Sequence, residues 1–253
     1  ELLAARGLSR RVEERFESVE QLLDALRDAV APARADPRLA RSVALEPAGE
    51  LPETSPSSRG LSTLLDELPR GLVSYPECQV RPTTVRLALA RQPIDDDALA
   101  AAPVELRHAH AIVRGGPEWI PEVAARLVLA AIFERRGDSL DSWIAFTRLL
   151  LRSTLSTGFF AFVVQPRGSS QLARSLARVW SSLHRGTELA VSPAREGVVM
   201  LSLRAPPALR DALARAELRA LVAACLELAR VTTFDMVERE GDGEAARFEL
   251  AWR

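Results

Sequence analysis

Two apolar helical segments followed by two alternating strands, within Ser139 to Arg204, constrain the fold more than any other stretch. Glu188 to Ser192 and Val198 to Arg204 alternate apolar and polar residues about a turn at Pro193 to Gly197, which predicts a hairpin. Thr232, Phe234 and Met236 alternate again before a second turn at Gly241 to Gly243, and Phe248, Leu250 and Trp252 return on one face. A second hairpin is therefore expected at the end of the chain.

The fold class that this order predicts is α+β. Several helices pack on a small antiparallel sheet made of the two C-terminal hairpins, preceded by a short helical segment and a linker. One face of such a sheet is covered by helices. Pro206-Pro207 opens the helix that joins the two hairpins.

Three helices before the first hairpin are expected to supply the core. The first runs from Pro121 to a stop at Gly137 with an apolar stripe, and the third starts at Ser169 or Ser170 and buries Trp180. The middle helix, capped by Asp138 or Ser139, is apolar nearly all round, which is typical of a buried helix. We expect this middle helix to form the centre of the domain.

The stretch before these helices is less regular. Leu61 to Leu68 predicts a short helix stopped by Pro69, and Asp95 to Asp97 is placed to favour a helix N-terminus. Pro103 breaks or restarts that helix, which runs to Gly115-Gly116. Cys78 to Arg91 fits a strand or a helix, and its pattern leaves both open.

Composition excludes several classes of function. The chain has 253 residues and a net charge of -1, so no global field recruits nucleic acid or a membrane surface. No apolar run reaches the roughly 18 residues of a membrane helix. Two cysteines in such a chain indicate reduced thiols and a cytoplasmic location.

Candidate metal and catalytic groups are sparse. The run Asp95 to Asp97 offers carboxylates, and His108 and His110 would share a face and could join Cys78 at a metal only on a strand. On a helix the two histidines point to different sides. No nucleophile motif and no nucleotide-binding glycine loop is present, so we expect no catalytic residues, no metal and no cofactor.

A basic cluster is the candidate ligand or partner surface. Between Asp141 and Glu188 the sequence has no acid. Arg174, Arg178 and Arg185 are spaced to share one helix side, and His184 and Arg185 precede the helix stop at Gly186. A solvated face, or a basic pair at a helix C-terminus, explains the same pattern.

The first thirty residues resemble the end of a kinase domain. Arg6-Gly7-Leu8, Glu14-Arg15-Phe16, Ser18 and Leu22-Leu23 look like the last helices of the C-lobe of bacterial serine/threonine protein kinases. The resemblance implies an upstream kinase domain in the same parent chain, with a Glu partner for Arg15 there. The catalytic motifs are absent from this chain, and any amphipathic helical hairpin would show a similar pattern.

The sequence then divides into a Pro-rich linker over residues 31–60 and a domain over residues 61–253. From Pro121 onward the order of elements, with Phe159-Phe160, Trp180, the turn at His184 to Thr187 and the closing strand from Phe248, resembles an α+β domain of unknown function in bacterial signalling proteins. Its layout is similar to the vinyl-reductase-type and haem-NO-binding sensor domains. The Tyr-x-Ser-x-Arg signature of haem-binding members is absent, so haem is not implied. The vinyl-reductase-type likeness implies an apolar small ligand or a protein partner.

Together these observations predict a non-catalytic regulatory or sensory segment of a bacterial serine/threonine kinase. The alternative is a stand-alone ligand-binding or protein-interaction domain with no kinase attached. An enzyme of unrecognised type would instead show a polar cleft with convergent titratable groups.

Overall fold

The computed structural model describes residues 60–137, 139–156, 169–231, 233–240, 243 and 245–252. The predictions for residues 1–30 and for the linker over residues 31–60 lie outside the described residues. So do Gly158 and the apolar run Phe159 to Val164.

Eight α-helices lie in the described part of the chain. They are α1 (Leu61–Glu67), α2 (Thr83–Arg91), α3 (Asp96–Ala101), α4 (Val104–Gly115), α5 (Glu122–Arg136), α6 (Leu140–Leu155), α7 (Ser169–Leu183) and α8 (Ala212–Leu228). Single 3₁₀ turns cover Gly71–Val73 and Pro207–Leu209. Within the described ranges, none of these helices has the length and apolar character needed to cross a membrane.

The predicted helix boundaries follow capping chemistry. Asp95 Oδ1 accepts a hydrogen bond of 2.7 Å from the backbone N–H of Ala98, as expected for the acid run at a helix N-terminus. Asp211 Oδ1 does the same for α8, with the backbone N–H of Ala214 as donor. The Pro206-Pro207 pair therefore opens only a 3₁₀ turn, and α8 begins after the Asp211 cap. Gly137 ends α5 with a φ of 61°.

Four strands form the predicted antiparallel sheet: β4 (Glu188–Arg195), β5 (Val198–Arg204), β6 (Phe234–Arg239) and β7 (Ala245–Trp252). Their order in the sheet is β4-β5-β7-β6. Each hairpin pairs internally, and β5 joins β7 with Leu201 opposite Phe248. The α+β class, with helices on a sheet made of two C-terminal hairpins, is confirmed.

A second, three-stranded sheet was not expected. It is made of the two-residue strands β1 (Gln79–Val80), β2 (Ile120–Pro121) and β3 (His184–Arg185), in the antiparallel order β2-β1-β3. The ambiguous stretch Cys78 to Arg91 thus contains both a strand and a helix, since β1 is followed by α2.

The buried apolar residues form two clusters. The helical core is built on α5 with neighbours from α1, α2 and α4, and it includes Trp143. The sheet core packs α7, α8 and the end of α6 on the inner face of the four-stranded sheet, and it includes Trp180. Both indoles are buried, at 0% and 3% exposure, and the burial of Trp180 was predicted from the sequence. Trp143, however, lies away from the sheet and packs edge-on against Phe133.

The helix after Ser139 supplies core residues to both clusters, but the expectation that it is buried nearly all round is wrong. In α6, Leu149 is 50% exposed and Phe146 is half-buried, so this helix buries one side. In α5, every residue from Glu122 to Phe133 is buried. The four alanines of α5 explain the difference, because small side chains allow neighbouring elements to approach from all directions.

Candidate functional site

The three-stranded sheet brings together segments that are far apart in sequence. Val80 lies opposite both Ile120 and His184, so β1 holds the start of α5 beside the end of α7. The backbone N–H of Glu122 donates to the Cys78 carbonyl over 2.9 Å. These contacts place Glu122 and His184 side by side.

Glu122, Arg126 and Glu217 form a buried ionic cluster. Glu122 and Arg126 are one turn apart on α5, and their side chains are each 3% exposed, with Arg126 Nη2 lying 3.6 Å from Glu122 Oε1. Arg126 Nη1 lies 2.6 Å from Glu217 Oε2 on α8. One guanidinium therefore serves two carboxylates in the interior, where charges are retained only when paired.

His184 completes the cluster from the opposite side. Its Nδ1 lies 3.4 Å from Glu122 Oε1. Its ring stacks on Trp180, with centroids 3.9 Å apart and planes 4° from parallel. Trp180 is fixed in turn, since its Nε1–H donates to Thr187 Oγ1 over 3.2 Å. The imidazole is thus oriented by an aromatic face and by a carboxylate.

The two carboxyl groups are shifted in opposite directions. Burial raises the pKa of Glu122, but the charges and hydrogen bonds of His184 and Arg126 outweigh it and hold that pKa below its ordinary value. Burial also raises the pKa of Glu217, and there the Arg126 charge does not compensate, so the pKa stays above its ordinary value. Glu122 is therefore the carboxylate of the pair, and Glu217 is the group that takes up a proton more easily.

A cavity of about 50 Å³ adjoins this cluster. Its polar lining residues are Arg81, Thr84, Glu122, Arg126, Thr147, Trp180, His184 and Glu217, and its apolar ones are Val80, Val85, Ala125, Leu129, Leu151, Leu183 and Leu221. Val80, Arg81, Thr84, His184 and Glu217 are partly exposed, and the other lining residues are buried. A volume of this size holds a few water molecules or one very small ligand.

Two oxygens at this cavity have no protein partner. Glu122 Oε2 and Thr147 Oγ1 are buried, and neither makes a hydrogen bond within the described part of the structure. The side chain of Glu122 is 3% exposed and Thr147 is 2% exposed. Three lining nitrogens, Arg81 Nε, Arg126 Nη1 and His184 Nδ1, also make no hydrogen bond there, although Arg126 Nη1 and His184 Nδ1 lie 2.6 and 3.4 Å from carboxylate oxygens. Buried polar groups are nearly always satisfied, so the two oxygens, which have no such contact, favour a bound group that donates hydrogen bonds.

A larger cleft of about 310 Å³ lies elsewhere, between the start of α8 and the β6–β7 hairpin. Each arginine that lines this cleft has a partner. Arg215 lies 3.6 Å from Glu238, Arg239 lies 2.9 Å from Glu249, and Arg210 donates to the Gly243 carbonyl. We therefore take the interior cavity as the candidate site.

The predicted surface residues separate in the structure. Arg174 and Arg178 are exposed on α7, whereas Arg185 lies on β3, so the three do not share one helix side. The Arg185 guanidinium stacks over Trp119 at 3.8 Å from the ring centroid. Among the four residues, His184 is the one that lines the cavity.

Sequence reasoning missed Glu122, Arg126 and Glu217. A signal was present, because each is a charged residue within an apolar helix: Glu122 and Arg126 flank Val-Ala-Ala, and Glu217 lies among Ala and Leu. A charge at a position that faces the core requires a partner. The sequence does not reveal which helices meet, so the partner could not be named.

The alternative metal sites do not form. Asp95 caps α3, and His108 and His110 lie on α4, where His108 is exposed and His110 is buried. Within the described residues, no group of three His, Cys, Asp or Glu side chains could hold a metal ion.

The two thiols are poor nucleophiles. Burial, together with the charges of Glu122 and Glu77, raises the pKa of Cys78 to about 12. Burial alone raises the pKa of Cys225 to about 12. Both thiols therefore stay protonated at neutral pH, and the thiolate is the form that reacts.

No known family and no curated protein matches the sequence. Among solved structures, a mutant of Cs H-NOX covers 68% of this chain and 93% of its own length, with 13% identity and a TM-score of 0.44. A mutant of T. tengcongensis H-NOX covers 68% of this chain and 94% of its own length, with 12% identity and a TM-score of 0.43. An oxygen-binding H-NOX domain related to soluble guanylate cyclases covers 68% of this chain and 92% of its own length, with 12% identity and a TM-score of 0.41. At these identities and TM-scores the likeness carries no argument about ligand or activity.

Proposed function

We propose that this chain is a non-catalytic sensory segment of a signalling protein, and that it binds a small polar ligand in the cavity beside Glu122. The observation that carries the proposal is the pair of buried oxygens, Glu122 Oε2 and Thr147 Oγ1, which lack a protein partner among the described residues. Leaving a buried polar group unsatisfied costs about 1–3 kcal/mol, so two at one cavity favour a site that is filled.

The position of the cavity suggests how binding is communicated. Its lining includes Ala125 and Leu129 from the helical core and Leu151, Leu183 and Leu221 from the sheet core. A ligand there contacts both clusters at once. It therefore stabilises the arrangement of the two clusters that fits it best, which is the physical requirement for a ligand-driven change of state.

The lining residues do not fit haem, the group bound by the haem-NO-binding domains that the layout resembles. A cavity of about 50 Å³ is far smaller than the roughly 300–1,000 Å³ of drug-sized ligand sites. His184, the histidine in the lining, is stacked on Trp180 and directs Nδ1 toward Glu122.

The finer proposal is that this segment regulates a bacterial serine/threonine kinase located upstream in the same parent chain, in the cytoplasm. Its support is the pattern Arg6-Gly7-Leu8, Glu14-Arg15-Phe16 and Leu22-Leu23 in the sequence. Two buried, free cysteines support a reducing compartment. The upstream reading frame tests the kinase attachment: it should encode a Gly-rich loop and a catalytic Asp, and their absence there would refute it.

A second candidate function is protein interaction through the surface at Trp119. This indole is half-buried, and two guanidinium groups lie over its ring. The guanidinium carbon of Arg185 is 3.8 Å from the ring centroid and that of Arg81 is 5.0 Å from it. Tryptophan and arginine are the residues most often found at binding hot spots. Replacing Trp119 by Ala should abolish capture of a partner if this surface binds one, whereas substitutions inside the cavity should not.

Two threonines on α6 provide a matched test of the cavity proposal. Thr147 Oγ1 is an orphan at the cavity, whereas Thr154 Oγ1, also buried, already donates to the Leu150 carbonyl over 3.1 Å. Thermal melts of the full chain should identify small polar compounds that raise the midpoint. Thr147→Val should remove that response and Thr154→Val should keep it. Equal responses in both variants would place the ligand elsewhere.

A further inference from the structure

We infer that the ligand of this cavity is a small ammonium ion, either ammonium itself or a primary amine of methylammonium size. This inference rests on the proposed function and adds the chemical class of the ligand. Glu122 Oε2 and Thr147 Oγ1, the two lining oxygens without a partner, can each accept a hydrogen bond from such an ion, and the Thr147 hydroxyl can also donate one. An ammonium group supplies several N–H donors and the charge that a carboxylate favours.

Within the buried cluster, the acids outnumber the permanent cation. Three acids, Glu122, Glu217 and Asp211, face the cluster, and Arg126 is the fully buried permanent cation among them. Arg126 is already divided between Glu122 and Glu217.

The remaining basic groups leave Glu122 Oε2 available. His184 approaches the other oxygen of Glu122, at 3.4 Å. Arg81, which is partly exposed, pairs with Glu118 over 2.7 Å and stacks on Trp119. One carboxylate oxygen in the interior therefore has no cation or donor assigned to it among the described residues. The lowered pKa of Glu122, in which its charged neighbours outweigh the effect of burial, keeps this oxygen anionic at neutral pH.

The size and the wall of the cavity select the ligand further. A volume of about 50 Å³ admits a group of a few heavy atoms. Leu129, Leu151 and Leu221 line the remainder, so one methyl group is accommodated against apolar surface. A quaternary ammonium carries no N–H donor and four methyl groups, and it should be excluded on both grounds.

Thermal melts of the full chain in chloride salts at equal ionic strength test this inference. Ammonium and methylammonium chloride should raise the midpoint saturably relative to sodium chloride, while potassium and tetramethylammonium chloride should not. Glu122→Gln should weaken the apparent affinity for methylammonium by roughly ten- to a hundred-fold, because a hydrogen bond to a charged group contributes about 1.5–3 kcal/mol. Glu188→Gln is the matched control, since Glu188 forms an exposed pair with Arg204, and it should leave the affinity unchanged.

The outcomes separate the two proposals. If methanol or formamide raises the midpoint through Thr147 and the ammonium salts do not, the cationic class is wrong and the proposed function stands. If potassium chloride raises the midpoint as much as methylammonium chloride does, the ligand needs no N–H donor and the inference is refuted. If no compound responds, both proposals fail. Should Glu122→Gln not fold, Thr147→Val must remove the response to methylammonium, and an unchanged affinity in that variant overturns the inference.

Discussion

Glu122 shows at the scale of single residues how one interior site sets several properties. It begins α5, pairs with Arg126 and His184, and leaves one oxygen at the cavity. The sequence marks such a residue by its charge within an apolar helix, but the identity of its partners depends on how α5, β3 and α8 meet. For this reason His184 was predicted at the site whereas Glu122, Arg126 and Glu217 were not.

The opposite pKa shifts of Glu122 and Glu217 predict opposite pH effects of Glu-to-Gln substitution. Because the pKa of Glu122 lies below its ordinary value of 4.5, its contribution to stability is present above that pH and is lost as the pH falls through the folded-state pKa. Glu122→Gln should therefore cost about 1–3 kcal/mol at pH 7, and less as the pH falls below the ordinary value. Denaturant unfolding across this pH range measures the difference.

The contribution of Glu217 to stability has the opposite pH dependence, because the pKa of Glu217 lies above its ordinary value of 4.5. The native state binds the proton more tightly, so stability relative to a neutral side chain falls as the pH rises through the folded-state pKa. Glu217→Gln should therefore gain stability relative to the wild type as the pH rises. The same pH dependence in both variants would contradict the opposite pKa shifts of the two glutamates.

Two tryptophans give a matched pair for burial. Trp180 is 3% exposed in the sheet core, and Trp180→Ala should cost ~3–5 kcal/mol of unfolding free energy. Trp119 is half-buried between arginines, and Trp119→Ala should cost only about 1–2 kcal/mol, since exposed cation–π contacts are worth about 0.5–1 kcal/mol each. Equal costs in chemical denaturation would contradict the assigned burial.

At the scale of elements, the long and strongly patterned segments were predictable and the short ones were not. Both hairpins of the four-stranded sheet and the buried face of α7 followed from alternation and helical spacing. The strands β1, β2 and β3 have two residues each, too few to show a period, and their pairing is entirely long-range. The pattern at His184 and Arg185 therefore predicted a helix end, although these residues form a strand.

Gly186 is the residue on which the three-stranded sheet depends most directly. Its φ is +73°, and a Cβ at this position would lie 2.3 Å from the Glu77 carbonyl oxygen. Gly186→Ala should cost at least ~3 kcal/mol, since backbone strain and a backbone collision add. Gly137→Ala is the control: φ is +61°, but the Cβ would meet no described atom within 4 Å, so about 1 kcal/mol is expected. Thermal unfolding that ranks the two variants in the reverse order would contradict this role.

At the scale of the whole molecule, the described residues share two cores joined through α6 and α8, which contribute side chains to both. The sequence predicted a single core around the helix after Ser139. The alanine-rich α5 and α8 instead lie at the centre, because total burial of a helix depends on the size of its side chains as well as on their polarity.

The domain boundary remains a prediction from composition and can be tested on the full chain. Limited proteolysis should cut within residues 31–60, where proline, serine and charged residues replace the apolar pattern, and should leave a resistant fragment that begins near residue 61. Mass spectrometry of the fragments identifies the sites. First cuts within α5 or α8 would show that the boundary is misplaced.

A high-resolution crystal structure of the full chain grown in methylammonium chloride tests the central claim most directly. The expected result is a density peak in the cavity, within about 2.7–3.2 Å of both Glu122 Oε2 and Thr147 Oγ1. A closed or empty cavity, with these two oxygens bonded to donors of the protein itself, would contradict it.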